Sequence, residues 1–334
     1  MLQSQEYPGT IWAVITSIQP PTLAVKLLAR NKQLKTIVVA DKKTPAVWQE
    51  NNVKFLSVPE QQQLDFPLLR NLPWNHYSRK MLGYIYAIQK GAAMIYDTDD
   101  DNIPTANWQF PAGYGCYQVT RENLSFINVY QYFTRQKVWP RGFPLNLVNR
   151  DYTAALAELS VEPLTAGIWQ GLADGDPDVD AIYRLLFNDL CIFEKKPPLL
   201  LNKGTICPFN SQNTLFSKDT FPLLYIPATV TFRFCDILRG LVAQPILWTK
   251  NLHLGFTAAT VRQIRNPHDY LRDFESEVPM YLNAEKLVAA VAGKVRSSYS
   301  LTENLWAAYE LLLNMNIVSR GELDLLHDWL AIFS

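Results

Sequence analysis

The sequence lacks the motifs that mark several common enzyme classes. The turn after the first apolar segment, Ser17 to Thr22, contains no glycine, whereas a dinucleotide-binding Rossmann domain carries a Gly-x-Gly-x-x-Gly turn at that point. A Walker phosphate loop, a His-Glu-x-x-His zinc motif and a Gly-x-Ser-x-Gly nucleophile turn are missing as well. The sequence therefore argues against hydride transfer and offers no support for those other kinds of chemistry.

Cysteine, histidine and net charge are scarce too. The four cysteines and four histidines show no spacing typical of metal ligands, and the cysteines do not suggest a disulfide framework, so we expect reduced thiols. Lysine plus arginine and aspartate plus glutamate both number 31. No overall field therefore recruits nucleic acid or an anionic membrane.

Long apolar runs are also absent. Met1 to Tyr7 is polar, Ile11 to Ile18 is too short to cross a membrane, and no later segment reaches about 18 uninterrupted apolar residues. These features predict a cytoplasmic protein without a signal peptide or a membrane span.

The most informative segment is Ala92 to Asn102, where an apolar run ends in four aspartates within five residues. Neighbouring carboxylates repel one another, so such a cluster favours a bound cation, and oxygen ligands suit Mg²⁺, Mn²⁺ or Ca²⁺. An EF-hand starting at Asp97 would need glycine at Asn102 and glutamate at Trp108, and it has neither. The open alternatives are a phosphatase-like aspartate pair, the Asp-x-Asp signature of nucleotide-sugar glycosyltransferases, and a solvated acidic turn.

Apolar strands and helices alternate in the N-terminal third of the chain. The pattern predicts strands over Ile11 to Ile18, Thr36 to Ala40 and Val53 to Val58, and helices over Pro21 to Arg30 and Asn75 to Lys90. This alternation is typical of an α/β protein with a mostly parallel mixed sheet, in which ligands bind at the carboxyl ends of the strands. Asp41 and the acidic cluster both fall at that edge.

Six blocks of the sequence closely resemble STELLO-type proteins: Ile11 to Ile18, Thr36 to Pro45, Leu72 to Tyr84, Ile95 to Pro104, Trp139 to Leu145 and Gly175 to Ala181. STELLO-type proteins are glycosyltransferase-like proteins, best known from plants, where they are Golgi membrane proteins linked to the assembly of cellulose synthase complexes. The resemblance runs from about Ile11 to the C-terminal helices. We do not expect the Golgi location here, because the membrane anchor of the plant proteins has no counterpart in this sequence.

A more distant likeness is to the reversibly glycosylated polypeptides, which include UDP-arabinopyranose mutases. Their motifs recur in the same order, as Asp99 to Asp101, Arg141 to Pro144, Pro177 to Ala181, Lys203 to Thr205 and Arg233 to Asp236. The shared order implies a GT-A-like nucleotide-sugar-binding fold. Cys235 departs from the pattern, since the mutases have the first of two acids there, which leaves Asp236 as the remaining carboxylate.

These resemblances imply a metal site and a donor site. Asp99 and Asp101 would bind Mn²⁺ or Mg²⁺. A late histidine completes the metal shell in many GT-A enzymes, and His268 is preferred over His253 for that role.

The donor would be a nucleotide sugar, UDP-linked by analogy. Asp100 would contact its ribose or sugar, and Asp41 would accept hydrogen bonds from the base or ribose. Arg79 or Lys80 would neutralise the diphosphate. The alternatives are a solvated helix face for the two cations and a turn-forming role for Asp41.

Asp236 precedes the helix-like run Ile237 to Leu241, a position that suits a general base for an acceptor hydroxyl or, alternatively, a helix N-cap. A second acidic segment contains Asp174, Asp176, Asp178 and Asp180. It predicts either a rigid loop near the sugar or the capped start of a helix.

The C-terminal part of the chain changes to a purely helical pattern. We predict a GT-A-like domain over residues 8–280 and a helical extension over residues 281–334 that packs on it. The predicted helices are Ala284 to Val295, Leu301 to Met315 and Arg320 to Phe333. Ser319 and Glu322 have the spacing of a capping box.

Two functions fit these observations. The first is a metal-dependent glycosyltransferase that transfers a hexosyl or pentosyl group from a nucleotide sugar to an unknown hydroxyl acceptor. The second is a catalytically silent glycosyltransferase-like scaffold that acts through protein partners in polysaccharide synthesis. The acidic cluster favours the first and Cys235 favours the second.

Overall fold

A ten-stranded mixed sheet forms the centre of the protein in a computed structural model that describes residues 9–333. The segment Met1 to Tyr7, with its predicted lack of a signal peptide, lies outside the described residues. The strands, including a separate pair formed by β7 and β10, are β1 (Ile11–Ser17), β2 (Leu34–Ala40), β3 (Val53–Leu56), β4 (Met94–Thr98), β5 (Asn102–Pro104), β6 (Tyr114–Val119), β7 (Ser125–Phe126), β8 (Ser160–Gly175), β9 (Leu199–Leu200), β10 (Thr205–Ile206), β11 (Asn213–Ser217) and β12 (His253–Gln263).

Helices cover the sheet. They are α1 (Leu23–Arg30), α2 (Val58–Gln62), α3 (Met81–Gln89), α4 (Tyr130–Phe133), α5 (Thr153–Ala157), α6 (Ala181–Leu186), α7 (Cys235–Trp248), α8 (Tyr270–Lys294), α9 (Leu301–Asn314) and α10 (Arg320–Leu330). Short 3₁₀ segments lie at Pro67–Arg70, Tyr77–Lys80, Leu145–Leu147, Lys218–Leu224 and Ala331–Phe333.

Six strands point their carboxyl ends to the same edge of the sheet. β3, β2, β1 and β4 are consecutive parallel neighbours. β11 runs antiparallel to both β4 and β8, so β8 has the direction of β4, and β12 pairs in parallel with β8. The chain therefore leaves β1, β2, β3, β4, β8 and β12 at one edge, where ligands bind in sheets of this type.

Alternate residues of β1 are buried on opposite faces of the sheet. Trp12 and Val14 belong to one buried apolar cluster, and Ile11, Ala13 and Ile15 belong to another. Successive side chains of a strand point to opposite faces, so a central strand covered on both sides becomes a continuous apolar run. The segment was predicted as a strand for this reason.

The predicted α/β class with C-terminal helices is confirmed. The strands and helices predicted in the N-terminal third are present, with shifts of a few residues at their ends. The predicted helix Asn75 to Lys90 begins as the 3₁₀ segment Tyr77–Lys80 and continues as α3.

The C-terminal helices share the core of the sheet. Leu287, Leu305 and Trp329 belong to the same buried cluster as Val14 of β1. Helix α8 runs without a break across positions 280 and 281, where the domain boundary was predicted. The division into two domains stays a prediction.

The capping box predicted at Ser319 and Glu322 is wrong. Ser319 precedes α10 without a side-chain cap, and the Glu322 carboxylate instead accepts hydrogen bonds from the backbone N–H groups of Ala228 and Thr229, at distances down to 2.7 Å. The spacing of the two residues fits a capping box, but the backbone N–H groups of the neighbouring loop are buried and need an acceptor, which the Glu322 carboxylate supplies. Glu322 therefore ties the C-terminal helices to the loop before α7.

Gly83 allows α3 to lie directly on β1 and β2, and replacing it with alanine should destabilise the protein. A Cβ atom there would meet Val14 Cγ1 at 2.5 Å and Val39 Cγ2 at 2.9 Å. We expect Gly83→Ala to lower the free energy of unfolding by about 1–3 kcal/mol through overpacking. Gly293→Ala is the control, because nothing lies within 4 Å of the added carbon, and it should stabilise α8 by up to about 1 kcal/mol. Urea denaturation measures both, and equal effects would contradict this packing.

Candidate functional site

A cavity of about 710 Å³ opens at the carboxyl edge of the sheet. Its volume lies in the range of small-molecule sites, about 300–1,000 Å³. Six of the residues predicted to be functional line it: Asp41, Asp99, Asp100, Asp101, Asp236 and His268. They come from segments far apart in the chain, so the fold assembles them in one place.

The acidic loop that follows β4 forms one side of this cavity. Asp99 Oδ1 accepts a hydrogen bond from the Tyr77 hydroxyl, and Asp100 accepts one from the Ser17 hydroxyl at the end of β1. Asp101 Oδ2 accepts a 3.0 Å bond from Gln263 Nε2 at the end of β12. The three carboxylates are thus held apart by separate donors, each supplied by the end of a different element.

The three carboxyl groups do not ionise easily. Burial, reinforced by the charge of neighbouring aspartates, raises the pKa of Asp99 and of Asp100 above its ordinary value. Burial and the Asp99 carboxylate raise the pKa of Asp101 to about 7. Burial disfavours the ionised forms of these groups, and a bound cation would favour them.

Lys80 lies beneath the loop and is completely buried. Its Nζ is 2.7 Å from Asp97 Oδ1 and 3.1 Å from Asp99 Oδ1. Arg239 of α7 pairs with the other oxygen of Asp97 at 2.8 Å. Although burial alone would lower it, the two aspartates raise the pKa of Lys80, so the ammonium group stays charged.

Neither predicted diphosphate ligand occupies a position that fits that role. Lys80 and Arg79 are buried and are not part of the cavity lining, which also excludes a solvated helix face. Arg79 stacks on the Trp74 ring at 3.7 Å and donates to Gln61 Oε1 and to the Leu72 carbonyl. A turn of 3₁₀ helix directs both side chains into the protein, which residue types alone do not indicate.

Asp41 holds the loop that contains Asn75 and His76, which also lines the cavity. Its Oδ1 accepts a 2.7 Å hydrogen bond from Lys42 N, and its Oδ2 accepts a 3.3 Å bond from His76 N. Asn75 has φ of 53°, a left-handed conformation that asparagine tolerates, and it turns the chain so that His76 and Tyr77 face the cavity. Asp41 thus has a structural role in addition to its place in the lining.

Asp236 lies in the first turn of α7 and is paired with Arg141. Arg141 Nη1 and Nη2 donate to its two oxygens at 3.0 and 2.9 Å. Arg141 also donates to both oxygens of Asp178 at 2.7–3.1 Å. Although burial would raise it, Arg141 lowers the pKa of Asp178 to about 2. Gly142 permits this arrangement, since its φ is +88° and a Cβ would lie 2.4 Å from Ile237.

The sequence did not assign roles to Arg141, Asp178, Arg233 or Arg265, which also line the cavity. The first three lie in motifs shared with the mutases, and those motifs are the sequence feature that could have indicated their place in the cavity. Arg265 follows the end of β12 and belongs to no such motif.

The predicted base Asp236 and the predicted metal ligand His268 both have partners. His268 is exposed, and its Nδ1 lies 2.9 Å from Asp273 Oδ2. Within residues 9–333, no group of three or more histidine, cysteine, aspartate or glutamate side chains is arranged to hold a metal ion. The third metal ligand stays a prediction that this geometry does not favour.

Asp99 and Asp101 nevertheless fit a divalent cation. Mg²⁺ is usually bound through one or two carboxylates and the phosphates of a substrate, so a complete cage of protein ligands is not needed. Both donors to Asp99 reach the same oxygen, Oδ1, which leaves Oδ2 for a ligand. Burial raises the pKa values of both residues, and a cation bound between them would favour their ionised forms.

The second acidic segment contains the predicted capped start of a helix, and its predicted place near the sugar stays a prediction. Asp180 caps α6 by accepting a 2.8 Å bond from Tyr183 N, and Asp176 pairs with Arg184 at 2.9 Å. Asp178 lines the cavity beside Arg141.

Cys235 is completely buried and is not part of the lining. The position at which the mutases have an acid therefore lies behind the cavity wall.

Two curated proteins of Arabidopsis thaliana match most of this chain. They are named Probable glycosyltransferase STELLO2 and Probable glycosyltransferase STELLO1, and they are 29% and 28% identical to it over 303 residues. The predicted resemblance to the STELLO-type family is confirmed. The match covers 83% of this chain but 38% of each STELLO relative, so the chain spans about two fifths of their length. No protein-family model matches the chain.

The STELLO-like chain was predicted to lack a membrane span. Among the helices in the described part of the chain, none combines the length and apolar character needed to cross a bilayer.

Lys80 should be essential for stability. Lys80→Met removes a buried cation and leaves Asp97 and Asp99 with less compensation, so we expect a loss of about 3–5 kcal/mol in the free energy of unfolding. Lys54→Met is the control, because Lys54 pairs with Glu60 at the surface, and it should cost at most about 1 kcal/mol. Similar losses of unfolding free energy for the two variants in urea denaturation would show that the buried ion pairs of Lys80 contribute no more to stability than the surface pair of Lys54.

Asp101→Asn should stabilise the metal-free protein at high pH. The pKa of Asp101 is raised from 3.8 to about 7 in the folded protein, so its stabilising contribution is fully present below pH 3.8 and is lost as the pH rises through 7. Asparagine does not ionise, and the difference in Tm, variant minus wild type, should grow between pH 4 and pH 8. Asp65→Asn, at an exposed position, should show no such trend. A pH-independent difference for Asp101→Asn would contradict the raised pKa.

Proposed function

We propose that this chain forms the donor-binding domain of a metal-dependent glycosyltransferase that uses a nucleotide sugar, namely a UDP-sugar. The observation that carries the proposal is the convergence of Asp41, Asp99, Asp100, Asp101 and Asp236 on one cavity at the carboxyl edge of the sheet. The names of the STELLO relatives agree with a glycosyltransferase at the level of the family. Since the chain spans only part of those proteins, transfer by this chain is part of the proposal.

The acidic side of the cavity would hold the donor. Asp99 and Asp101 would bind Mn²⁺ or Mg²⁺, which when bound would neutralise charge on the leaving diphosphate. Asp100 would accept a hydrogen bond from the ribose or the sugar, and Asp41 from the base or the ribose. Lys80 would favour the ionised form of Asp99 and hold its carboxylate in place from below, without touching the donor.

Asp236 would act on the acceptor side. Both of its oxygens already accept hydrogen bonds from Arg141, so the carboxylate is held by a donor before any acceptor binds. We therefore assign it the orientation of an acceptor hydroxyl through a remaining lone pair. Arg141 and Asp178 would fix its position.

The second candidate is a glycosyltransferase-like scaffold that binds a nucleotide or a protein partner in polysaccharide synthesis without transferring sugar. The observation that favours it is the same engagement of Asp236 by Arg141, which leaves this side of the cavity without an unpaired base. The position of Cys235 does not favour it, because this residue does not line the cavity.

Thermal melting against nucleoside diphosphates and nucleotide sugars, with and without Mn²⁺, tests donor binding. At a ligand concentration of about 100 times Kd, binding adds about 2.7 kcal/mol to the stability, so Tm should rise by several degrees. The rise should require both metal and nucleotide, and it should vanish in the double variant Asp99→Asn, Asp101→Asn. The control double variant Asp65→Asn, Asp324→Asn removes the same charge at exposed positions and should respond like the wild type.

The transferase and scaffold proposals then separate on product formation. Release of nucleoside diphosphate from a donor that stabilises the protein, lost in Asp236→Asn with donor binding unchanged, would favour transfer. Stabilisation without any release or transfer, tested across candidate hydroxyl acceptors, would favour the scaffold. If no nucleotide stabilises the wild type, the donor site itself is wrong.

A further inference from the structure

Arg265 is a buried cation in the cavity wall whose charge is poorly compensated. Its side chain is 8% exposed. The distance from its Nη2 to Asp273 Oδ2 is 3.7 Å, which is beyond hydrogen-bond length. Its Nε is buried and makes no hydrogen bond within residues 9–333. A desolvated guanidinium group with donors to spare is costly unless an anion completes it.

The neighbouring arginines differ in this respect. Arg141 makes paired hydrogen bonds to Asp178 and Asp236, and Arg233 lies 2.7 Å from Glu277. Both acids that act on the charge of Arg265 are shared. Asp178 is bound by Arg141, and Asp273 also lies 2.9 Å from His268 and 3.9 Å from Arg233. The arginine cluster thus leaves Arg265 as its least neutralised member.

Arg265 also lies close to the acidic loop. It follows β12 by two residues, and β12 pairs with β5 so that Gln263 stands opposite Asn102. The Gln263 side chain donates to Asp101, and Ile264 N donates to the Asp101 carbonyl at 3.4 Å. A cation held by Asp101 and the guanidinium of Arg265 would therefore face the same part of the cavity.

We infer that Arg265 binds a phosphate oxyanion in this cavity. A carboxylate would use both of its oxygens in the guanidinium fork, whereas a phosphate keeps further oxygens for a cation at Asp99 and Asp101. Burial and the charge of Arg233 lower the pKa of Arg265 to about 10, so it remains charged at neutral pH. The molecule that carries this phosphate is the donor if the proposed function holds, and this assignment rests on that proposal. A phosphorylated acceptor would offer Arg265 the same chemical group.

Titration calorimetry with inorganic pyrophosphate in the presence of Mn²⁺ tests the inference. Arg265→Gln should weaken binding about tenfold or more, the usual range for loss of a charge-assisted hydrogen bond, and Arg265→Lys should weaken it less. Arg262→Gln is the matched control, since Arg262 is exposed near the end of β12, and this variant should bind pyrophosphate like the wild type. The Tm of Arg265→Gln should be no lower than that of the wild type, because an uncompensated cation is removed.

The outcomes separate this inference from the proposed function. Arg265-dependent binding of pyrophosphate without any binding of nucleotide sugars would support the inference and reject the proposed function. Equal binding of a UDP-sugar by the wild type and Arg265→Gln would do the reverse. Failure of the wild type to bind pyrophosphate, or binding of glucuronate in its place, would overturn the inference. Competition between pyrophosphate and UDP would identify the donor as the source, and simultaneous binding would identify an acceptor.

Discussion

The buried carboxylate of Asp97 and its two cations hold the site together. Lys80 precedes α3, Asp97 lies in β4, and Arg239 belongs to α7, so a single ion triad joins the distant helix α7 to two consecutive elements of the chain. Removing one partner from such a triad leaves an uncompensated charge in the interior, which is far more costly than an exposed charge. Because Lys80 also contacts Asp99, the same triad fixes the acidic loop to the body of the protein. The chemistry of the cavity therefore depends on charges that never reach the cavity.

The cavity lining carries charge of both signs. The loop after β4 contributes three carboxylates with raised pKa values, and the end of β12 is followed by Arg265, the least neutralised of the three arginines in the lining. A ligand that satisfies both signs of charge needs a cation at one end and oxyanions at the other. A metal-bound diphosphate has this distribution of charge, whereas a neutral sugar does not. The charges of the lining thus suit a nucleotide-sugar donor with its metal-bound diphosphate better than they suit the sugar alone.

Strand ends were predictable from the sequence because each is a local pattern. An apolar run followed by aspartates indicated the end of β4, and a parallel sheet brings such ends to one edge; Asp41 and the acidic loop were predicted in this way. The roles of Arg79 and Lys80 were not predictable, since a 3₁₀ turn decides which way a long side chain points. Glu322 had the spacing of a cap and was used by another loop. Arg265 carries no local signal, because the pairing of β5 with β12 places it.

In the proposed function, donor binding and transfer depend on different side chains. The carboxylates of the acidic loop accept hydrogen bonds from Lys80, Tyr77 and Gln263, whereas both oxygens of Asp236 accept hydrogen bonds from Arg141. The acceptor side is organised by Arg141, which holds Asp178 and Asp236 together. A change on the acceptor side could therefore abolish transfer while the donor side stayed intact. For that reason the two proposed functions share one binding site and differ only in what Asp236 can do once Arg141 has bound both of its oxygens.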